Sequence, residues 1–223
     1  MLAPQIAPQR GVSSSDEGYH LPNASGEEIT AMGKIIASEN VTLDGVIQDP
    51  AGDEGLRHGG WVGRIGGPGR EETAKVALDE ALGTEAMLLG RRTYEFLAAR
   101  WPSRTGALAD RLNSKAKFVV SSTLQHPAWN NTTVLKGNVV SEASRLKQHL
   151  TGDIVVAGSF QLLHTLLDHD LIDELRLMIY PVILGSGKRL FAETSDKQPM
   201  RLVGQKTVAG DLALLTYEPV RET

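Results

Sequence analysis

The 223 residues include no cysteine. That excludes a disulfide framework, a zinc-thiolate site, an iron–sulfur cluster and a cysteine nucleophile. Aromatic residues make up only 5% of the chain, few for a base-stacking surface. Basic charge is not in excess either. The formal net charge is −4 and the pI about 5.9, which argues against a nucleic-acid polyanion as the main partner. No apolar run is long enough to span a membrane, which takes about 18 residues or more. What the chain does have is 41% hydrophobic residues, ample for a core in one large domain.

Residues 1–31 stand apart. They are rich in Pro, Ser, Gln and Gly and lack apolar periodicity, and Arg10 is set against Asp16, Glu17, Glu27 and Glu28. Most of the net negative charge therefore sits in this stretch, and the remainder is nearly neutral. So little apolar matter does not offset the entropy of ordering, so a disordered polar tail is expected. A secretory signal is not expected, because no basic start precedes an apolar stretch of about 7–15 residues. One domain is expected over 32–223, in a cytoplasmic protein.

From Gly33 onward, strand and helix signals alternate. KIIASENV at 34–41 is an apolar-rich strand, and Asp44-Gly45 after it is a turn signal. Residues 48–70 form a long loop holding ten Gly or Pro residues. Loops of that length inside a domain are usually functional or disordered. Trp61 lies in this loop, either as part of a lid over a substrate or as a packing residue. Apolar spacing at 74, 77, 78, 81 and 82 predicts a helix over 71–82. Buried strands are expected at 86–89 and 118–121, with a helix over 93–100 between them. The second half repeats the rhythm. A strand at 132–135 precedes a helix over 139–150 capped by Asn138, and a strand at 154–157 precedes a helix over 160–167 with Ser159 as N-cap. A long strand follows at 175–184. Segments 201–208 and 212–218, joined through Ala209-Gly210-Asp211, read as a closing antiparallel hairpin. The fold class is therefore α/β, with a mostly parallel sheet flanked by helices and an antiparallel C-terminal end.

Three strand ends carry candidate chemistry. Leu89-Gly90-Arg91-Arg92-Thr93 joins a strand to a helix start, where glycine allows close approach and two guanidinium groups add charge. Val120-Ser121-Ser122 ends another strand in paired hydroxyls, and Ala157-Gly158-Ser159-Phe160 repeats the strand–glycine–helix pattern. Helix starts and arginine forks suit phosphate, and open α/β sheets bind ligands beyond the carboxyl ends of their strands. Together the three ends suggest a nucleotide cofactor, although each alone also reads as an ordinary turn. There is no GxGxxG, no P-loop, no HExxH and no G-x-S-x-G. Gly185-Ser186-Gly187-Lys188-Arg189 admits either a phosphate site or a strand-to-strand turn. Asp168, Asp170, Asp173 and Glu174 read as a solvated loop, and no metal is expected.

These segments, in this order, resemble a known superfamily. MLLGRRTYE at 87–95 is similar to the strand–Gly-Arg-x-Thr-x-Glu–helix segment of dihydrofolate reductases. FVVSS at 118–122 and IVVAGSFQL at 154–162 are similar to the next two cofactor segments of that fold. VTLDGVI at 41–47 and LLDHDLIDELRLMIYPVILGSGKRLF at 166–191 resemble one branch, the reductase domain of riboflavin biosynthesis and its small bacterial relatives. The resemblance implies an NADPH-dependent reductase acting on a C=N or C=O bond of a small, pterin- or pyrimidine-like substrate. Gly90, Arg91, Arg92 and Thr93 would hold phosphates, and Ser121 and Ser122 would lie near the adenosine. Gly158, Ser159, Phe160, Gln161 and Leu162 would pass under the pyrophosphate and nicotinamide ribose. Asp44 would face nicotinamide and substrate, or serve only its Asp-Gly turn. A homodimer is implied, with no nucleic-acid or membrane partner. A nucleotide-binding dimeric module without turnover and a genuine dihydrofolate reductase are the alternatives.

Overall fold

The computed structural model describes residues 32–64, 68–191 and 197–221. The expected tail, 1–31, lies outside the described residues. Eight strands and five helices follow in order: β1 (Ile35–Thr42), α1 (Pro68–Gly83), β2 (Thr84–Gly90), α2 (Arg91–Ala98), α3 (Ala107–Ser114), β3 (Ala116–Val120), β4 (Thr132–Leu135), α4 (Val139–His149), β5 (Asp153–Ala157), α5 (Phe160–Leu167), β6 (Glu174–Tyr180), β7 (Met200–Val208) and β8 (Leu212–Pro219).

The strands form one sheet in the order β4-β3-β2-β5-β1-β6-β8-β7. The first six in that order pair in parallel, and β8 pairs antiparallel with both β6 and β7. The expected α/β class and antiparallel end are therefore both present. Parallel strands covered on two faces read as near-continuous apolar runs, which explains the burial of β2, β3 and β5. On one face, Ile35, Ala37 and Val41 pack with Leu88, Phe118, Val156 and the leucines of α5. On the other, Leu89, Val119 and Val155 pack with Tyr94 of α2 and Trp129. Parallel pairing points the carboxyl ends of β3, β2, β5 and β1 to the same rim, side by side.

Asn138 caps α4 as expected, its Oδ1 accepting from the Ser141 N–H at 3.1 Å. Ser159 does not cap α5. It sits in the left-handed region with φ 57° and makes no side-chain cap bond. The expected long strand at 175–184 stops at Tyr180. Pro181 offers no N–H to a ladder, and the chain turns back onto the segment after β1, where the Leu43 N–H donates to Val182 O at 3.0 Å and the Ile47 N–H to Lys188 O at 2.9 Å.

The helix α3 carries no sequence expectation. It is eight residues long, and its hold on the fold comes from distant partners. Arg111 Nε donates to Ala81 O at 3.0 Å. Lys115 Nζ bonds Ala81 O at 2.8 Å and Thr84 Oγ1 at 2.9 Å, and also bonds Thr84 O. Lys115 and Lys117 are both buried. Lys117 reaches the carbonyls of Lys115, Asn113 and Asn130 at 2.7, 3.2 and 3.2 Å and lies over the Trp129 ring. Burial pushes the pKa of each ammonium down to about 8, aided at Lys115 by Arg111 and at Lys117 by Lys115.

Candidate functional site

A cleft of about 970 Å³ runs along the rim where β3, β2, β5 and β1 end. All eleven residues of the three expected cofactor segments line it. They come from separate stretches of chain and meet because their parent strands are neighbours in the sheet.

The middle of the cleft is stitched by two hydroxyls. The Gly90 N–H donates to Ser159 Oγ at 2.9 Å, and the Ser159 N–H donates to Thr93 Oγ1 at 3.0 Å. Each strand-end turn thus satisfies a backbone donor of the other. Gly158 has φ +62°, and a Cβ there would come within 3.1 Å of Thr93 Cγ2. That position needs glycine both for its backbone and for its space. At the β3 end, Ser121 Oγ accepts from the Thr123 and Leu124 N–H groups at 3.2 and 2.9 Å. This hydroxyl shapes the turn that borders the cleft.

The arrangement suits an anion. Neither α2 nor α5 has a side-chain N-cap, so both present uncapped N-termini to the cleft. Arg91 and Arg92 are exposed in the first turn of α2, and Arg91 lies 3.8 Å from Glu95. Residues of this chemistry fit the phosphates of a dinucleotide.

The opposite wall comes from the segments at 47–54 and 184–190. Gln48, Asp49, Pro50, Ala51 and Glu54 face the cleft from the first, and Lys188 from the second. Asp49 organises the loop. It is buried, with φ 53°, and its carboxylate accepts from the Glu54 and Leu56 N–H groups, both at 2.9 Å. Burial works to raise its pKa, but these and neighbouring N–H groups outweigh it and hold the carboxyl below its usual range. The Lys188 N–H donates to Gln48 Oε1 at 3.1 Å, tying the two segments together.

Asp44 and Trp61 are not among the residues lining this cleft. Asp44 accepts from Thr42 Oγ1 at 2.7 Å and from the N–H groups of Leu184 and Gly185 at 3.2 and 2.9 Å. The Thr42 hydroxyl above all, with those N–H groups, lowers its pKa to about 2. Of its two readings, the geometry matches the turn, which it staples to the 184–185 segment. Trp61 is 1% exposed and packs edge-on to Tyr180 at 5.1 Å, beside Val208 and Leu212. Its Nε1 donates to Gln48 O at 3.0 Å. It is a packing residue beneath the loop, not a surface of the cleft.

The model of the RibD C-terminal domain family matches residues 33–214. The chain belongs to that family. Among curated proteins, it is 28% identical over 138 residues to the uncharacterized protein YyaP of Bacillus subtilis, covering 60% of this chain and 73% of YyaP. Among solved structures, a putative riboflavin biosynthesis protein from Shewanella sp. PV-4 superposes with TM-score 0.68 at 24% identity, over 84% of this chain and 99% of that one. A bifunctional diaminohydroxyphosphoribosylaminopyrimidine deaminase/5-amino-6-(5-phosphoribosylamino)uracil reductase from Thermotoga maritima superposes with TM-score 0.56 at 16% identity, over 85% of this chain and 57% of that one. These likenesses establish the fold, dihydrofolate-reductase-like as the motifs imply.

One residue of the site in this RibD C-terminal domain escaped the sequence reading. Glu39 stands on β1 in the alternation of Ile35, Ala37 and Val41, so its side chain shares their inward face. It is 7% exposed and lines the cleft. Its Oε1 has no hydrogen-bond partner among the described residues. An acid at the third inward position of an apolar strand is the signal that could have found it.

Proposed function

We propose that the chain is an NADPH-dependent reductase acting on a C=N or C=O bond of a small, pterin- or pyrimidine-like heterocycle. The observation that carries this reading is the meeting of three separate cofactor-type segments along one cleft, in a member of the RibD C-terminal domain family. NADPH, when bound, supplies the hydride. Arg91 and Arg92, with the open start of α2, would hold its phosphates. Two guanidinium groups in that turn favour the 2′-phosphate form of the cofactor over NADH. Gly158 to Leu162 would lie along the pyrophosphate and ribose, and Ser121 and Ser122 near the adenosine. The 47–54 loop and Lys188 would bound the substrate end and exclude water from it. A cytoplasmic homodimer is part of this proposal.

The test is direct. NADPH is titrated into the full chain while its fluorescence and the melting temperature are followed, and its oxidation is then assayed with pyrimidines, pterins, dihydrofolate and simple carbonyls. Saturable binding that is tighter than NADH binding, with oxidation driven by a pyrimidine or pterin, is the expected result. Dihydrofolate reduction at comparable rate would assign the chain as a dihydrofolate reductase. Binding without turnover on any probe would assign the non-catalytic dimeric module instead. No binding at millimolar NADPH would refute all three.

A further inference from the structure

Reduction of a C=N bond needs a proton as well as a hydride, and the side chains that could supply one from the cleft are few. Asp49 is committed to its own loop through the Glu54 and Leu56 N–H groups. Asp44 is committed to the 184–185 segment and is not a lining residue. Glu54 lies on the loop wall of the cleft and is exposed to solvent. Lys188 is exposed, with its ammonium 5.1 Å from the centroid of the Phe160 ring. Glu39 differs from all of these. It projects from the central strand into the base of the cleft, more than nine-tenths buried, with one carboxyl oxygen unpartnered. An unpaired buried polar oxygen is costly unless a ligand or a proton resolves it.

We propose that Glu39 is the catalytic acid of this cleft, presenting the proton on Oε1 to the nitrogen of a C=N substrate. The inference rests on the reductase reading given above. The charges around the carboxyl agree with it. Burial, chiefly, holds its pKa well above the usual carboxylate range, and Glu80 of α1 adds repulsion. The Gly158 N–H opposes this from the β5–α5 turn. Glu80 itself is paired with Arg176 of β6 at 3.3 Å, so that cation is already engaged. The cleft's own cations, Arg91, Arg92 and Lys188, are exposed at its mouth. The reaction balances with one hydride, from NADPH, to carbon and one proton, from Glu39 Oε1, to nitrogen. The π pair of the C=N bond becomes the new N–H bond. The carboxylate left behind is reprotonated from solvent before the next turnover. An amine-forming reduction is thereby favoured over reduction of an isolated C=C bond, which has no basic atom to take the proton.

Infrared spectroscopy and kinetics on the full chain test this together. The wild type at pH 7 is expected to show the carbonyl stretch of a protonated carboxylic acid, absent from E39Q and lost from the wild type in alkali. E39Q is expected to bind NADPH as the wild type does and to lose about 10²–10⁴-fold in kcat on the best C=N probe. The wild-type rate should fall with rising pH along the same curve as the infrared band, and E39D should restore part of it. Unaltered NADPH binding by E39Q shows that the variant is folded. Absence of the band at pH 7, or an E39Q variant with wild-type kcat and pH profile, overturns the proposal while leaving the reductase reading intact. A chain that binds NADPH and shows the band but reduces no probe overturns both.

Discussion

Ser159 joins two turns through one hydroxyl, and its backbone lies where most side chains are disfavoured. These two facts make opposite demands on substitution. Ser159→Ala removes the acceptor of the Gly90 N–H and keeps the left-handed strain, so stability should fall by about 1 kcal/mol in urea denaturation. Ser159→Gly also loses the bond but relieves the strain, by a similar amount, and should be nearly neutral. Both should weaken NADPH binding, since the two cleft-forming turns lose their tie. If alanine and glycine behave alike, the strain argument is wrong. The buried lysines make a second prediction at this scale. Lys115 and Lys117 have folded pKa values of about 8, against 10.5 in the unfolded chain. Between those values the unfolded chain binds more protons, so stability should rise as pH climbs from about 8 to 10. Above that range Tyr180, whose pKa burial raises, works the other way. Melting temperatures measured across pH 7.5 to 10 should therefore increase, and Lys117→Met should flatten the rise.

Among elements, the wall of the cleft formed by 47–54 and 184–190 depends on Asp44. Its partners Leu184 and Gly185 lie 140 and 141 residues further along the chain. Asp44→Asn keeps an acceptor but loses the charge, so a loss of about 1 kcal/mol and faster amide exchange at 184–185 are expected. The lowered pKa fixes the acid limb. The contribution is complete above about pH 4 and is lost as pH falls through the folded value of about 2, so the wild-type and Asn variants should converge there. The same staple explains what could be read beforehand. Gly90, Thr93 and Gly158 were legible because strand ends, glycines and helix starts are local signals. The packing of Trp61 and the anchoring of Asp44 were not, because each is decided by a segment more than a hundred residues away, at Tyr180 or at 184–185. The helix α3 gave no local signal either, because Arg111 and Lys115 hold it through the carbonyls of Ala81 and Thr84, 27 to 34 residues earlier in the chain.

At the level of the whole molecule, the α/β class, the parallel sheet and the closing hairpin followed from alternation of strand and helix signals. The order of strands did not, because periodicity says nothing about neighbours. That order places β1 between β5 and β6. The earliest strand of the fold is thus flanked on both sides by strands that come more than a hundred residues later. On a ribosome adding about 5–20 residues per second, β1 must wait roughly 7–28 s before Tyr180 has been made. Until β5 has been made this apolar strand has no partner on either edge, and the edge that β6 will cover stays open for the whole interval, so any chaperone that binds it would be binding the future centre of the sheet. Glu39 sits on this strand, so the cleft acquires its buried acid only when synthesis of the sheet is nearly complete.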